Sequence, residues 1–208
     1  MNSLNKMLGA ISGDVLGSVY EFDPIKSKDF ELLGADCFFT DDTVMTIAVA
    51  DSLMNGRDYV ETLQMWAQKY PRAGYGGWFN KWIYEDFPEP YNSFGNGSAM
   101  RSSSVGWLFD DEDAVLKEAE KSAEITHNHP EGIKGVQAVA LGVLMGRKGC
   151  LKLPLNRMCG GGRGIRTPED LAALTDFKSQ WLEQQRYTRI IISIYYSLLI
   201  FLTFPSFS

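Results

Sequence analysis

Apolar residues in this chain return every third or fourth position, in runs broken by glycine or proline. That spacing lines one face of an α-helix, whereas a half-buried strand alternates every second residue. Leu4, Met7, Leu8, Ile11, Val15 and Val19 predict a first amphipathic helix, closed near Asp23-Pro24 because the residue before proline disfavours helical backbone. Val44, Ile47, Ala48 and Leu53 predict a second, capped by Thr40 and stopped at Asn55-Gly56. Asp58 and Glu61 make a capping-box-like pair ahead of a third, with Val60, Leu63, Trp66 and Tyr70 on one side and Pro71 at its end. Later helices are predicted through Met100, Val105 and Leu108, through Val115, Leu116, Ala119, Ala123 and Ile125, and through Ile133, Val136, Val139, Ala140, Val143 and Leu144 behind Pro130. No stretch alternates well enough for a strand. Six or seven helical segments with short breaks predict an all-α fold, a multi-helix bundle-like domain.

The pattern changes at Gly149. Residues 159–164 are glycine-rich and of low complexity. Thr167-Pro168-Glu169-Asp170 can start a helix through Leu171, Leu174, Trp181 and Leu182. Residues 190–204 are nearly all apolar, yet shorter than the roughly 18 residues a spanning helix needs, so a buried or misfolded tail is the expectation and not a membrane anchor. The chain thus divides into a helical domain over residues 1–148, incomplete by its motifs, and a divergent tail over 149–208 of the kind a frameshift, a truncation or disorder would give.

Composition narrows the function. A chain of 208 residues suits one domain or one domain with an appendage. A net charge of −6 speaks against a nucleic-acid partner, which needs a basic face. Cys37, Cys150 and Cys159 are far apart, have no CxxC spacing, and complete no zinc pattern with the two histidines. Reduced thiols in a cytoplasmic protein are the simplest expectation, and residues 1–8, with one lysine and no long apolar core, predict no secretory leader.

The chemistry concentrates at residues 39–43, Phe-Thr-Asp-Asp-Thr. Thr40 before Asp41 and Asp42 is a normal helix start, since the dipole favours negative charge in the first turn. The same residues, with Glu21, are hard oxygen donors suited to magnesium, manganese or calcium. Gly9, Gly13 and Gly17 recur every fourth residue and imply that a helix or a ligand packs close, with Asp14 among them. Gly74-Tyr75-Gly76-Gly77 before Trp78, Phe79 and Trp82 is either a glycine turn into an aromatic core helix or a backbone cradle for a phosphate beside stacking rings. Ser93-Phe94-Gly95-Asn96-Gly97 suits positive φ and close backbone approach before a helix N-terminus, an anion-binding arrangement. His127 and His129 are either ligand or metal contacts or a polar connection before Pro130. Together these residues support a metal-dependent hydrolase acting on a phosphate-bearing ligand.

Five motifs in order carry a resemblance: GDVLGSVYE at 13–21, FTDDT at 39–43, GYGG at 74–77, SFGNGSAMR at 93–101 and THNHP at 126–130. The stretch from about residue 4 to 147 resembles the ADP-ribosylglycohydrolase family, which includes dinitrogenase reductase-activating glycohydrolases and ADP-ribosyl-acceptor hydrolases. The resemblance implies an all-helical fold, a binuclear Mg2+ (or Mn2+) site, and cleavage of the glycosidic bond of an ADP-ribosylated protein or a small ADP-ribosyl compound. It implies Thr40, Asp41, Asp42 and Glu21 as metal ligands, with Glu21, Asp41 and Asp42 at the chemistry. It implies Ser93, Phe94, Gly95, Asn96 and Gly97 around the distal part of ADP-ribose, Phe94 stacking, Gly76 along the diphosphate and His127 near the ligand. Asp14 is expected to serve helix packing or a supporting hydrogen bond. The family's later Asp-x-Asp-Thr/Ser metal motif is missing. After Gly149 the acids are Glu169, Asp170, Asp176 and Glu183, none so spaced, and residues 111–113 have the spacing but precede His127 and read as a solvated helix start. Weak metal binding is therefore expected, with an inactive or ADP-ribose-binding module as the alternative to an active hydrolase.

Overall fold

A computed structural model of the protein describes residues 7–22 and 33–148. Among them the regular structure is helical throughout: α1 (Leu8–Gly17) with a following 3-10 turn (Ser18–Tyr20), α2 (Asp41–Asn55), α3 (Tyr59–Lys69), α4 (Gly77–Trp82), α5 (Gly97–Met100), α6 (Ser103–Leu108), α7 (Glu112–Glu124) and α8 (Pro130–Arg147). The all-α expectation holds. The expectations for Leu4, for Asp23-Pro24 and for the tail beyond Gly149, with Cys150, Cys159 and the apolar run at 190–204, lie outside the described residues.

Local chemistry explains the boundaries. Thr40 caps α2 by accepting from the Asp42 N–H, and the helix ends where Gly56 turns left-handed (φ 63°). Asp58 caps α3 and Asp111 caps α7, each accepting a backbone N–H three residues on. His129 caps α8 by accepting the Glu131 N–H, two residues on, where Pro130 fills the first turn. The stretch after Gly97 was expected as one helix and is two. Ser102 Oγ donates to the Ala99 carbonyl at 2.8 Å, an alternative to the helical ladder at the break between α5 and α6.

The periodic faces meet in one core. Met45, Ala48 and Val49 of α2, Leu63 and Ala67 of α3, Trp82 of α4, Val105 of α6, Val115, Ala119 and Ala123 of α7, and Val136, Ala140 and Leu144 of α8 are buried together. α8 packs on α5, α6 and α7, and α2 packs on α1, α3 and α6. Gly106 sets the α6–α8 approach: a Cβ there would lie 2.3 Å from the Ala140 carbonyl and 2.7 Å from Val143 Cβ. No described helix is long and apolar enough to cross a membrane.

Candidate functional site

The start of α2 is built around Asp14. Its carboxylate lies buried on α1 and accepts four hydrogen bonds from residues 26 and 29 positions away: Thr40 N–H at 2.7 Å, Thr40 Oγ1 at 2.5 Å, Thr43 N–H at 3.2 Å and Thr43 Oγ1 at 2.6 Å. This is the supporting hydrogen bond expected of Asp14, fourfold. Ser18 ties the same region once more by accepting from the Phe38 N–H at 3.1 Å. Asp41 and Asp42 then occupy the first turn of α2 at only 7% and 4% exposure. Burial of two adjacent carboxylates is tolerated there because the dipole at the helix N-terminus favours negative charge.

The glycine-aromatic segment lies beside this pair. Asp41 N–H donates to the Ala73 carbonyl at 2.7 Å, directly before Gly74 (φ 103°). Gly76 is the N-cap of α4. The Tyr75 hydroxyl is buried without a hydrogen-bond partner, and its pKa is raised by burial and then by the charge of Asp41. Trp82 is buried and stacked on Phe79, so this segment does enter an aromatic core helix. Trp78 remains exposed and stacks with Tyr91, whose ring lies 6.0 Å from that of His127. Rings thus lead from one glycine segment to the other.

The second segment is sewn onto the connection between α7 and α8. Ser93 N–H donates to the Thr126 carbonyl, Asn92 N–H to Asn128 Oδ1 at 2.8 Å, and Gly95 N–H to Ser93 Oγ. The expected positive φ within Gly95-Asn96-Gly97 is not found: the left-handed residue is Asn92 (φ 52°). The glycines serve close approach instead. A Cβ on Gly97 would lie 3.0 Å from His127 Cε1, and one on Gly95 would lie 3.4 Å from Ser93 Oγ and 3.9 Å from His127 Nε2. A Cβ on Gly132 would come within 2.8 Å of the Ser93 carbonyl, so that glycine lets the loop lie on the start of α8. Phe94 stays half exposed with its ring 5.2 Å from that of His129.

The two histidines separate in role. His129 caps α8. His127 is buried, and its pKa is lowered to about 3 by burial and then by the Arg101 cation. Arg101 is fully buried, donating to the Ser122 carbonyl and to Thr126 Oγ1, and burial lowers its own pKa to about 10. Tyr91 beside them is pushed up to about 12 by burial, against the pull of Arg101.

The structure therefore joins Ser93, Phe94, Gly95, Asn96, Gly97 and His127 in one place, and Thr40, Asp41 and Asp42 in another, tied through Ala73 to the segment that holds Gly76. Glu21 ends the 3-10 turn after α1, and among the described residues no group of three or more His, Cys, Asp or Glu side chains is placed to hold a metal ion. Thr40, Asp41 and Asp42 together offer two carboxylates and one hydroxyl, fewer ligands than a hard divalent cation takes from a protein cage. Sequence reasoning missed Tyr91 and Gly132, and gave Thr126 and Asn128 no role beyond their place in the motif at 126–130. Arg101 offered a signal, as the one charge inside a run of small and apolar residues from Gly97 to Leu108.

Comparison with known proteins bears on the family. The family model for ADP-ribosylglycohydrolases matches residues 4–192, which runs past the change of texture at Gly149. ADP-ribosylhydrolase ARH3 of Mus musculus is 31% identical over 178 residues, covering 69% of this chain and 48% of the relative. The ARH3 proteins of Gallus gallus (29% over 185 residues) and Homo sapiens (28% over 178 residues) each align with 69% of this chain and 49% of their own length. The chain spans about half the length of the curated relatives it matches. With five motifs in order, an all-helical architecture and a family match over most of its length, the chain belongs to the ADP-ribosylglycohydrolase family.

Proposed function

We propose that this chain hydrolyses the glycosidic bond joining ADP-ribose to a protein side chain or to a small acceptor, assisted by Mg2+ or Mn2+. The observation that carries the reading is the buried Asp41–Asp42 pair at the N-terminus of α2, fixed by Asp14. Thr40 Oγ1 donates its proton to Asp14 and accepts from the Asp42 N–H, which leaves one lone pair for a cation. A hydroxyl oriented by a second carboxylate in this way is how outer hydrogen bonds aim a ligand. A divalent ion held there would orient ribose hydroxyls and polarise water, and nearby negative charge would stabilise oxocarbenium character at the anomeric carbon. The loop at 93–97 with His127 would hold the distal nucleotide, Phe94 offering an exposed ring for stacking and Gly76 lying along the diphosphate.

The test is release of ADP-ribose from ADP-ribosylated serine and arginine peptides with Mg2+, compared with the Asp41→Ala, Asp42→Ala double variant. Turnover abolished by the double substitution supports hydrolysis. The incomplete donor set among the described residues favours a second reading, an ADP-ribose-binding module without turnover. ADP-ribose binding by the parent with no product formed, with or without metal, would establish that reading instead.

A further inference from the structure

Arg101, Thr126 and His127 form a buried chain of hydrogen bonds, of which the activity proposed above uses only His127. Arg101 Nη2 donates to Thr126 Oγ1 at 2.9 Å, and Thr126 Oγ1 lies 2.8 Å from His127 Nδ1. All three residues are at most 4% exposed. The far edge of the imidazole, Nε2 and Cε1, faces the backbone of Gly95 and Gly97.

The Thr126 hydroxyl owns one proton and two lone pairs. Arg101 occupies one lone pair. The proton goes either to His127 Nδ1 at 2.8 Å or to the Ala123 carbonyl at 3.4 Å. The shorter contact is the better hydrogen bond, and a cation donating to Oγ1 makes its O–H a stronger donor. Nδ1 is then an acceptor, and the ring proton of neutral histidine sits on Nε2. The opposite arrangement, Nδ1–H donating to Thr126, would push the hydroxyl proton onto the longer contact. A doubly protonated ring is disfavoured by its burial beside the Arg101 cation.

We propose that Arg101 and Thr126 are positioning residues that hold His127 as a neutral Nε2–H donor aimed at the Gly95–Gly97 turn, where it serves an acceptor oxygen of the bound ADP-ribosyl ligand. The proposal rests on the reading that this loop holds the nucleotide. Glycine at 95 and 97 keeps the space in front of that donor free of side-chain atoms.

The ring nitrogens report the tautomer by 15N NMR on the ligand-free protein. A His129→Asn background leaves His127 as the sole histidine and keeps a cap acceptor for α8. The expected spectrum assigns the unprotonated nitrogen to Nδ1. Thr126→Val, isosteric but without the hydroxyl, should give a mixture of tautomers and lower ADP-ribose affinity about tenfold, the scale of one hydrogen bond, while Thr126→Ser restores both. A parent spectrum with Nδ1 protonated overturns the proposal even if no variant folds. An unchanged tautomer in Thr126→Val, or a changed tautomer with unchanged ADP-ribose affinity, overturns it too. If the tautomer behaves as expected and the parent shows no ADP-ribose binding, the role assigned to the donor falls with the reading of the loop, while the relay within the protein stands.

Discussion

Removing the Asp14 carboxylate should loosen the start of α2 before it disturbs anything else. Asp14→Ala leaves the Thr40 and Thr43 N–H groups without their acceptor in a buried position, whereas the two threonine hydroxyls can rotate toward other oxygens. An orphaned buried donor costs about 1–3 kcal/mol, so two cost roughly 2–6 kcal/mol. Relief of repulsion with Asp41 and Asp42, and recovery of the desolvation cost of one buried carboxylate, offset part of that. A net loss of about 3 kcal/mol is expected, which for a chain of this size lowers the melting temperature by about 6–12 °C. Asp14→Asn should cost roughly half as much. Its amide oxygen, placed where Oδ2 sits, keeps the Thr40 N–H, Thr43 N–H and Thr43 Oγ1 bonds as neutral ones, and its amide nitrogen can donate to Thr40 Oγ1. Circular dichroism melts give the totals, and hydrogen exchange at the Thr40 and Thr43 amides locates them. A cycle with Thr43→Val, which deletes one donor hydroxyl, should show a coupling of about 1 kcal/mol. If Asp14→Ala melts with the parent and both amides exchange at the parent rate, the carboxylate does not hold α2 and the account of the site's geometry fails.

Three further outcomes are expected. Gly106→Ala forces a methyl into the Ala140 carbonyl and Val143, backbone and packed side chain alike, so α6 and α8 must part; a loss of about 2–4 kcal/mol should appear in denaturant midpoints. Gly97→Ala meets the edge of the His127 ring at 3.0 Å, a contact that must shift by tenths of an ångström, so calorimetry should show ADP-ribose binding weakened several-fold, with a melting temperature lowered by only a few degrees at most, about 1 kcal/mol. His127 has a folded pKa near 3 against an ordinary 6.5, so the unfolded chain binds the extra proton between those values and stability must fall as pH drops from about 6.5 toward 3. Removing this group with His127→Gln should flatten the slope there by up to about 1.4 kcal/mol per pH unit, read as the difference between the two melting-versus-pH curves.

Much of the fold was legible in the chain because its causes are local. Apolar spacing of three and four marked the faces of α2, α3, α7 and α8, and Thr40, Asp58 and the acidic start at residues 111–113 marked the starts of α2, α3 and α7 within a residue or two, as Asn55-Gly56 marked the end of α2. These need only neighbours within one turn. The split of α5 from α6 was less legible, since Ser102 competes with the helix through a hydrogen bond that periodicity does not register. The motifs marked the residues proposed to carry chemistry, because residue type fixes donor and charge.

What only the tertiary structure decided is who meets whom. Asp14 reaches Thr40 and Thr43 across 26 and 29 residues, and Arg101 reaches Thr126 across 25. Gly95 and Gly97 could equally have served left-handed turns; contact with His127 shows them serving close approach. Whether Glu21 joins Asp41 and Asp42 depends on the path after α1 and not on any spacing between residues 21 and 41. Helix starts and faces follow from interactions within a few residues of sequence. A site is made by groups that packing alone brings within hydrogen-bond reach, and no spacing along the chain encodes that distance.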